Sequence, residues 1–275
     1  GTMFNIRMDE DGLIACGDAS TQITWMDAKW GDTVFTPRHG KPVEVNALWY
    51  HALRILAARS AQTEPAASAR YEELARRVER SFAASFWNES RGCLYDVVRE
   101  GERDGRVRPN QILAVSLPHS PLSRDRQWAV VARVERELLT PYGLRSLSPR
   151  EPGYHGRYEG NGYERDSAYH QGTVWAWLMG PYVEAYLRTR DFSPRARQEM
   201  REALLRLIEH LDEAGIGSVS EVFDGDPPHR PAGCIAQAWS VGELLRAWRL
   251  TSPADGSGEG PPDGGASDPR STRGR

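Results

Sequence analysis

The sequence predicts an all-α fold. Three observations point there. Apolar residues recur at helical spacing in one segment after another, only one stretch alternates like a strand, and the connections are too long for simple bundle turns. With 275 residues, 39% hydrophobic and 27% charged, the chain can bury a sizeable core.

The elements follow in order. A long connection, 14–41, leads to a helix over 42–61, which Pro42 opens at a first helical position and whose face carries Leu48, Ala52, Ile55 and Leu56. A second helix, 65–87, carries Tyr71, Leu74, Ala75, Val78, Phe82 and Phe86. "GCLYDVV" (Gly92–Val98), ahead of Asp104-Gly105, is the one strand-like stretch and predicts a small β-hairpin. Short and longer helices are expected near 109–117 and 124–139. After a connection over 140–168 comes an aromatic helix, 169–189, kinked at Pro181. In 194–213, Ser193 caps, Pro194 follows, and Met200, Leu204, Leu207, Ile208 and Leu211 form the buried stripe. A last helix over about 235–250 follows the connection 214–234. Residues 252–275 are rich in Gly, Pro, Asp and Ser and are expected to be disordered, leaving 1–251 as the folded unit.

Several function classes are excluded. A net charge of −3 lacks the basic excess that nucleic acid demands. No apolar run approaches a membrane span, and no charged-then-apolar signal segment opens the chain. Cys16, Cys93 and Cys234 are sparse and odd in number, as reduced thiols of a cytoplasmic protein would be. No metal or cofactor is implied. His229 and Cys234 stand alone, His51 and His210 sit in helical runs, and "EGNGYERD" lacks both the dinucleotide glycine pattern and a preceding strand.

The long connections hold the acids and aromatics that helical packing leaves unexplained. The first places Trp25, Asp27, Lys29, Trp30, Asp32 and Arg38 close together. Indoles beside a carboxyl strip it of water and raise its pKa, as a general acid needs. Alone, an aspartate near tryptophan is more often a turn cap. The middle connection supplies Arg145, Tyr163, Arg165, His170, Gln171 and Trp175, offering the hydrogen bonds and flat apolar faces a sugar ring asks for. The last, "SVSEVFDGDPPHRPAGC", offers Glu221. Pro227 and Pro228 limit its unfolded freedom, Asp224 or Asp226 can orient Arg230, and the chain runs on into a helix that anchors it.

Four blocks carry a family resemblance. "TWMDAKWGDTVFTPRHGKPVEVNALWYHAL", "RPNQILAVSLPHSPL", "GLRSLSPREPGYHGRYEGNGYERDSAYHQGTVWAWLMGPYVEAYLR" and "SVSEVFDGDPPHRPAGCIAQAWSVGELLR" resemble, in order, the amylo-alpha-1,6-glucosidase domain of the glycogen debranching enzymes. The resemblance implies an (α/α)6 toroid that hydrolyses α-1,6-linked glucose at branch stubs of glycogen or limit dextrin. It makes Asp27 of Trp-Met-Asp the general acid and Glu221 of Ser-Glu-Val-Phe-Asp-Gly the general base of an inverting reaction. Trp25, Lys29, Arg38, Asn110, Tyr163, Arg165, His170, Gln171 and Trp175 are the expected substrate-binding residues. The branched α-glucan is the expected partner, with no nucleic acid or membrane. Two alternatives stay open: another toroid glycosidase, glucoamylase-like or trehalase-like, or a non-catalytic carbohydrate-binding fragment. A full ring needs more helices than the roughly seven legible here. With no Met at position 1, the chain is expected to be a natural fragment, poorly active alone, whose first helices precede Gly1.

Overall fold

In the computed structural model, which describes residues 2–252, helix α1 (Val43–Ser60) begins just after the extended Pro42. The Val43 N–H bonds the Asp96 carbonyl at 3.0 Å, so one free donor of the first turn is satisfied from outside the helix, and the Asn46 side chain donates to the Pro42 carbonyl at 2.9 Å. Four residues on, Pro65 opens α2 (Pro65–Phe86), which returns along α1; the Ser68 hydroxyl bonds the Ala57 carbonyl at 2.8 Å. A 3₁₀ turn, Pro109–Ile112, runs into the short buried α3 (Leu113–Ser116). Next come α4 (Arg124–Glu137) and α5 (Gly162–Ala168), a helix absent from the sequence reading, started by a reciprocal capping box between Asn161 and Glu164. Then follow α6 (Met179–Thr189), α7 (Pro194–Glu213, capped by Ser193) and α8 (Ala238–Thr251).

The helices form a two-layered arc. Helices α1, α3, α6 and α8 are successive neighbours in one layer, while α2 backs α1, α4 backs α3 and α6, and α7 backs α6 and α8. Layer assignment follows burial: α6 is apolar nearly all round, whereas α2 and α7 bury a single stripe each. The connections entering α1, α3, α6 and α8 therefore meet at one end of the layer.

Short strands weld those connections together, so the fold is not purely α. A five-stranded antiparallel sheet runs Leu139–Thr140, Gly143–Arg145, Val174–Trp175, Val222–Phe223, Pro231–Ala232. Its register sets Leu144 and Val222 on either side of Trp175, which joins the segments ahead of α6 and α8. A side chain on Gly143 would run into the Trp175 carbonyl, so glycine is required there. Lys41–Pro42, Val97–Arg99 and Glu102–Asp104 likewise tie the connections ahead of α1 and α3. The expected hairpin is the last two of these; Cys93–Leu94 pairs instead with Trp87–Asn88.

Three other expectations are corrected. Leu48, Ile55 and Leu56 of α1 face outward; Val43, Ala47, Tyr50, Leu53 and Ala57 are the buried set. The stretch 169–189 is not one helix. Val174–Trp175 is claimed by strands on both sides, a 3₁₀ turn follows at Ala176–Leu178, and Pro181 sits unkinked in the first turn of α6, where no N–H is needed. The last connection extends to Gln237, leaving Cys234 and Ile235 exposed. The predicted disordered tail, Ser252 apart, lies outside the described residues. Among the described residues no helix is long and apolar enough to cross a membrane.

Candidate active site

Asp27 lies at the solvent-facing end of the arc, between the buried Met26 and Ala28. Its carboxyl is exposed, yet the surrounding protein removes enough water to raise its pKa; its own backbone N–H opposes the shift. Trp25 is half-buried and closes an aromatic cluster. Its ring stands edge-on to His170, Trp175 and Trp177 at 5.4, 5.3 and 5.2 Å, and more distantly to Trp239 of α8. Trp177 and Trp239 stack at 3.9 Å. The segment ahead of α3 joins this cluster too, because the Trp25 indole donates to the Asn110 side-chain oxygen at 2.7 Å. Lys29 and Trp30 form half of a two-residue hairpin with Thr33–Val34. Lys29 is exposed, and Trp30 packs on Gly162 and, edge-on at 6.2 Å, on Tyr163.

Glu221 is fixed from several directions. Its backbone N–H bonds the Cys234 carbonyl at 2.9 Å. One carboxylate oxygen accepts from the Cys234 N–H at 3.0 Å and the other from the Gln237 amide at 3.1 Å. Gly233 comes so close to this carboxylate that any side chain there would strike it. Arg230 bonds to Asp224 at 2.8 Å and to Glu159 at 2.7 Å. Asp224 is buried, which alone would raise its pKa; the Tyr158 N–H, Arg230 and Arg157 overcome this and hold it below the ordinary value. Asp226 accepts from the Tyr154 hydroxyl at 2.9 Å, and that phenol is pushed up to about 12 by burial first and Asp226 second. The acids beside the Pro-Pro pair thus hold the loop, as the sequence suggested for Asp224 and Arg230.

Two tyrosines respond to the charge of the candidate residues. The Tyr169 phenol is raised by burial, then by Glu221, with Tyr158 and Asp27 adding to it, so one hydroxyl feels both carboxylates. Tyr158 packs on Tyr169 at 5.4 Å; burial raises it, while Arg165 opposes and Glu221 reinforces the shift.

The other nominated residues divide by depth. Tyr163 and Arg165 are exposed on α5, with Arg165 bonded to the Gly160 carbonyl at 2.6 Å. Trp175 stacks on His170 at 5.3 Å, and its indole donates to the Tyr169 carbonyl at 3.0 Å. His170 is buried with both ring nitrogens unbonded, and burial beside Arg108 and Arg38 lowers its pKa to about 3. Gln171 bridges Arg108 (2.9 Å), the Phe35 carbonyl (2.7 Å) and Thr36 (2.9 Å). Arg38 and Asn110 lie beneath the surface. Arg38 is spent on Glu44 and Asp96, and Asn110 bridges Asp96 and Trp25. The sequence reading missed Asp96, Arg108, Tyr158, Tyr169, Trp177 and Trp239. For Asp96 a signal existed: an acid between the apolar Leu94 and Val97 of a buried strand segment needs a cation.

A family model described as amylo-alpha-1,6-glucosidase matches residues 1–246. The glycogen debranching enzyme of Saccharomyces cerevisiae is 24% identical over 247 residues, covering 72% of this chain and 16% of the yeast protein. The neutral trehalase of S. cerevisiae superposes with a TM-score of 0.58 at 14% identity, over 76% of this chain and 38% of that one. A mannosylglycerate hydrolase from Thermus thermophilus, solved with glucose, gives 0.53 at 22% identity, over 76% and 47%. This likeness is one of fold, the helical architecture of the (α/α)6 toroid glycosidases. The chain spans less than half of each of these relatives.

Proposed function

Since the chain belongs to the amylo-alpha-1,6-glucosidase family, we propose that it hydrolyses α-1,6-glucosidic branch points of glycogen or limit dextrin. Asp27 is the general acid and Glu221 the general base of an inverting reaction. The observation that carries this reading is the pair's unequal surroundings. Asp27, its pKa raised by lost water, is suited to keep the proton that the leaving oxygen needs. Glu221 accepts hydrogen bonds on both oxygens, which hold its carboxylate in place to activate water. Both carboxylates raise the Tyr169 phenol, Glu221 more than Asp27.

The glucose at the branch rests against the tryptophan cluster. Trp25 supplies an apolar face with Trp175 packed behind it, while Lys29, Tyr163 and Arg165 offer polar groups at the rim. Arg38, Asn110, His170 and Gln171 act from below by holding that surface in place. The reaction takes place in the cytoplasm, where Cys16, Cys93 and Cys234 stay reduced.

The test is glucose release from limit dextrin, with linear α-1,4 dextrin and trehalose as controls. Release from the branched substrate, lost by orders of magnitude in Asp27→Asn and Glu221→Gln, supports the reading. Preferential cleavage of linear dextrin or trehalose, or dextrin binding with no release, contradicts it.

A further inference from the structure

Asp96 lies between strand segments ahead of α3, is 3% exposed, and has no place in the two-carboxylate chemistry. It nevertheless joins several of the residues nominated for substrate. One of its oxygens accepts from the Arg38 Nε at 2.8 Å. The other accepts from Arg38 Nη2 at 3.2 Å and from the Asn110 amide nitrogen at 2.7 Å. Asn110 passes the contact on, its oxygen accepting the Trp25 indole N–H at 2.7 Å. The Met26 sulfur lies 3.6 Å from the Asn110 amide nitrogen and 3.9 Å from Arg108. The two residues that precede Asp27 therefore rest on groups that Asp96 organises.

The direction of this relay is set by chemistry. An ionised carboxylate only accepts and an indole N–H only donates, whereas a carboxamide does both, at opposite ends. With Asp96 on one side and Trp25 on the other, only one orientation of the Asn110 amide satisfies both neighbours. Turned over, it would set oxygen against oxygen and N–H against N–H. Arg38 pairs with both Asp96 and Glu44, and Arg108 lies 3.9 Å from Asp96, so two acids face two arginines in the buried cluster.

We infer that Asp96 is a positioning residue for the candidate acid: through Asn110 it locks Trp25 and Met26, and with them the segment that presents Asp27. The inference rests on the proposed function for its kinetic consequences and on geometry alone for its spectroscopic ones.

In Asp96→Asn the amide at 110 can turn over. The Trp25 indole N–H resonance, identified by its loss in Trp25→Phe, is then expected to move in a ¹H–¹⁵N spectrum although residue 96 does not touch Trp25. Turnover of limit dextrin should fall by about 10- to 100-fold, the scale of a small misplacement of a reacting group. Turnover of α-glucosyl fluoride, which needs little acid help, should fall far less. Asn110→Ala, which keeps the Arg38–Asp96 pair, should give the same indole shift and the same substrate dependence. It is the deciding variant if Asp96→Asn does not fold. An unmoved Trp25 resonance in a folded variant, or equal losses on both substrates, overturns the inference. If the parent chain hydrolyses neither substrate, the functional reading fails and the resonance alone decides the role of Asp96.

Discussion

The Glu221 carboxylate and the Gln237 amide share a 3.1 Å hydrogen bond, and Gln237 is also the residue from which α8 starts. The candidate base is thus tied to α8 by a side chain at the helix entrance, while the Cys234 N–H holds its other oxygen. Replacing Gln237 with Ala frees one oxygen. The expected result is a fall in kcat of about 10- to 100-fold with about 1 kcal/mol lost in thermal stability. Steady-state kinetics and calorimetry on the same variant check this. A large loss of stability with kcat retained would make the bond structural only.

Asp27 sets a pH limit. Its pKa is raised, chiefly by desolvation, so it donates a proton only below that raised value. Activity on branched dextrin should fall as pH rises through it. With α-glucosyl fluoride the alkaline limb should be absent. Stability carries the same sign. Ionised Asp27 is less favourable folded than unfolded, so Asp27→Asn should be at least as stable as the parent above the raised pKa. Identical alkaline limbs for the two substrates would take the acid role away from Asp27.

His170 predicts the opposite pH behaviour of stability. Burial, with Arg108 and Arg38 beside it, lowers its pKa to about 3 from the ordinary 6.5. As pH falls below 6.5, the unfolded chain takes up a proton that the folded chain refuses, so stability is lost by up to about 1.4 kcal/mol per pH unit. His170→Phe keeps the ring stacked on Trp175 and abolishes this term. Its stability relative to the parent should improve steadily from pH 7 to pH 4 in denaturant titrations. A difference independent of pH would contradict the buried neutral imidazole.

What was legible follows from how local each feature is. Helix α7 has one cap and one stripe, so it could be read directly, and the blocks that nominate Asp27 and Glu221 are long and contiguous. Helix α1 carries two apolar stripes. Periodicity does not choose between Leu48-Ile55-Leu56 and Val43-Ala47-Tyr50-Leu53-Ala57; the neighbours α2 and α3 do. Val174–Trp175 looks helical in its own context, and only pairing with Leu144–Arg145 and Val222–Phe223 makes it a strand. Arg38 and Asn110 were read as facing the sugar. That Asp96 draws both below the surface is a long-range charge pairing with no local mark.

The tryptophan cluster separates packing from binding. Trp175 is 5% exposed, so Trp175→Ala should cost about 3–5 kcal/mol through the cavity it leaves. Trp175→Phe should cost clearly less and retain most dextrin affinity. Trp25 is less buried, and Trp25→Ala should weaken dextrin binding in a chain that still folds. Calorimetric titration with limit dextrin checks both. Unchanged affinity in a folded Trp25→Ala variant would remove Trp25 from the sugar face.

The most direct measurement is the anomer of the first glucose released from an α-1,6 branch, followed by NMR before mutarotation. An acid at Asp27 and a water-activating base at Glu221 place water on the face opposite the leaving oxygen, so β-glucose should appear first. α-Glucose as the first product would require a covalent intermediate and would contradict the roles given to the two residues.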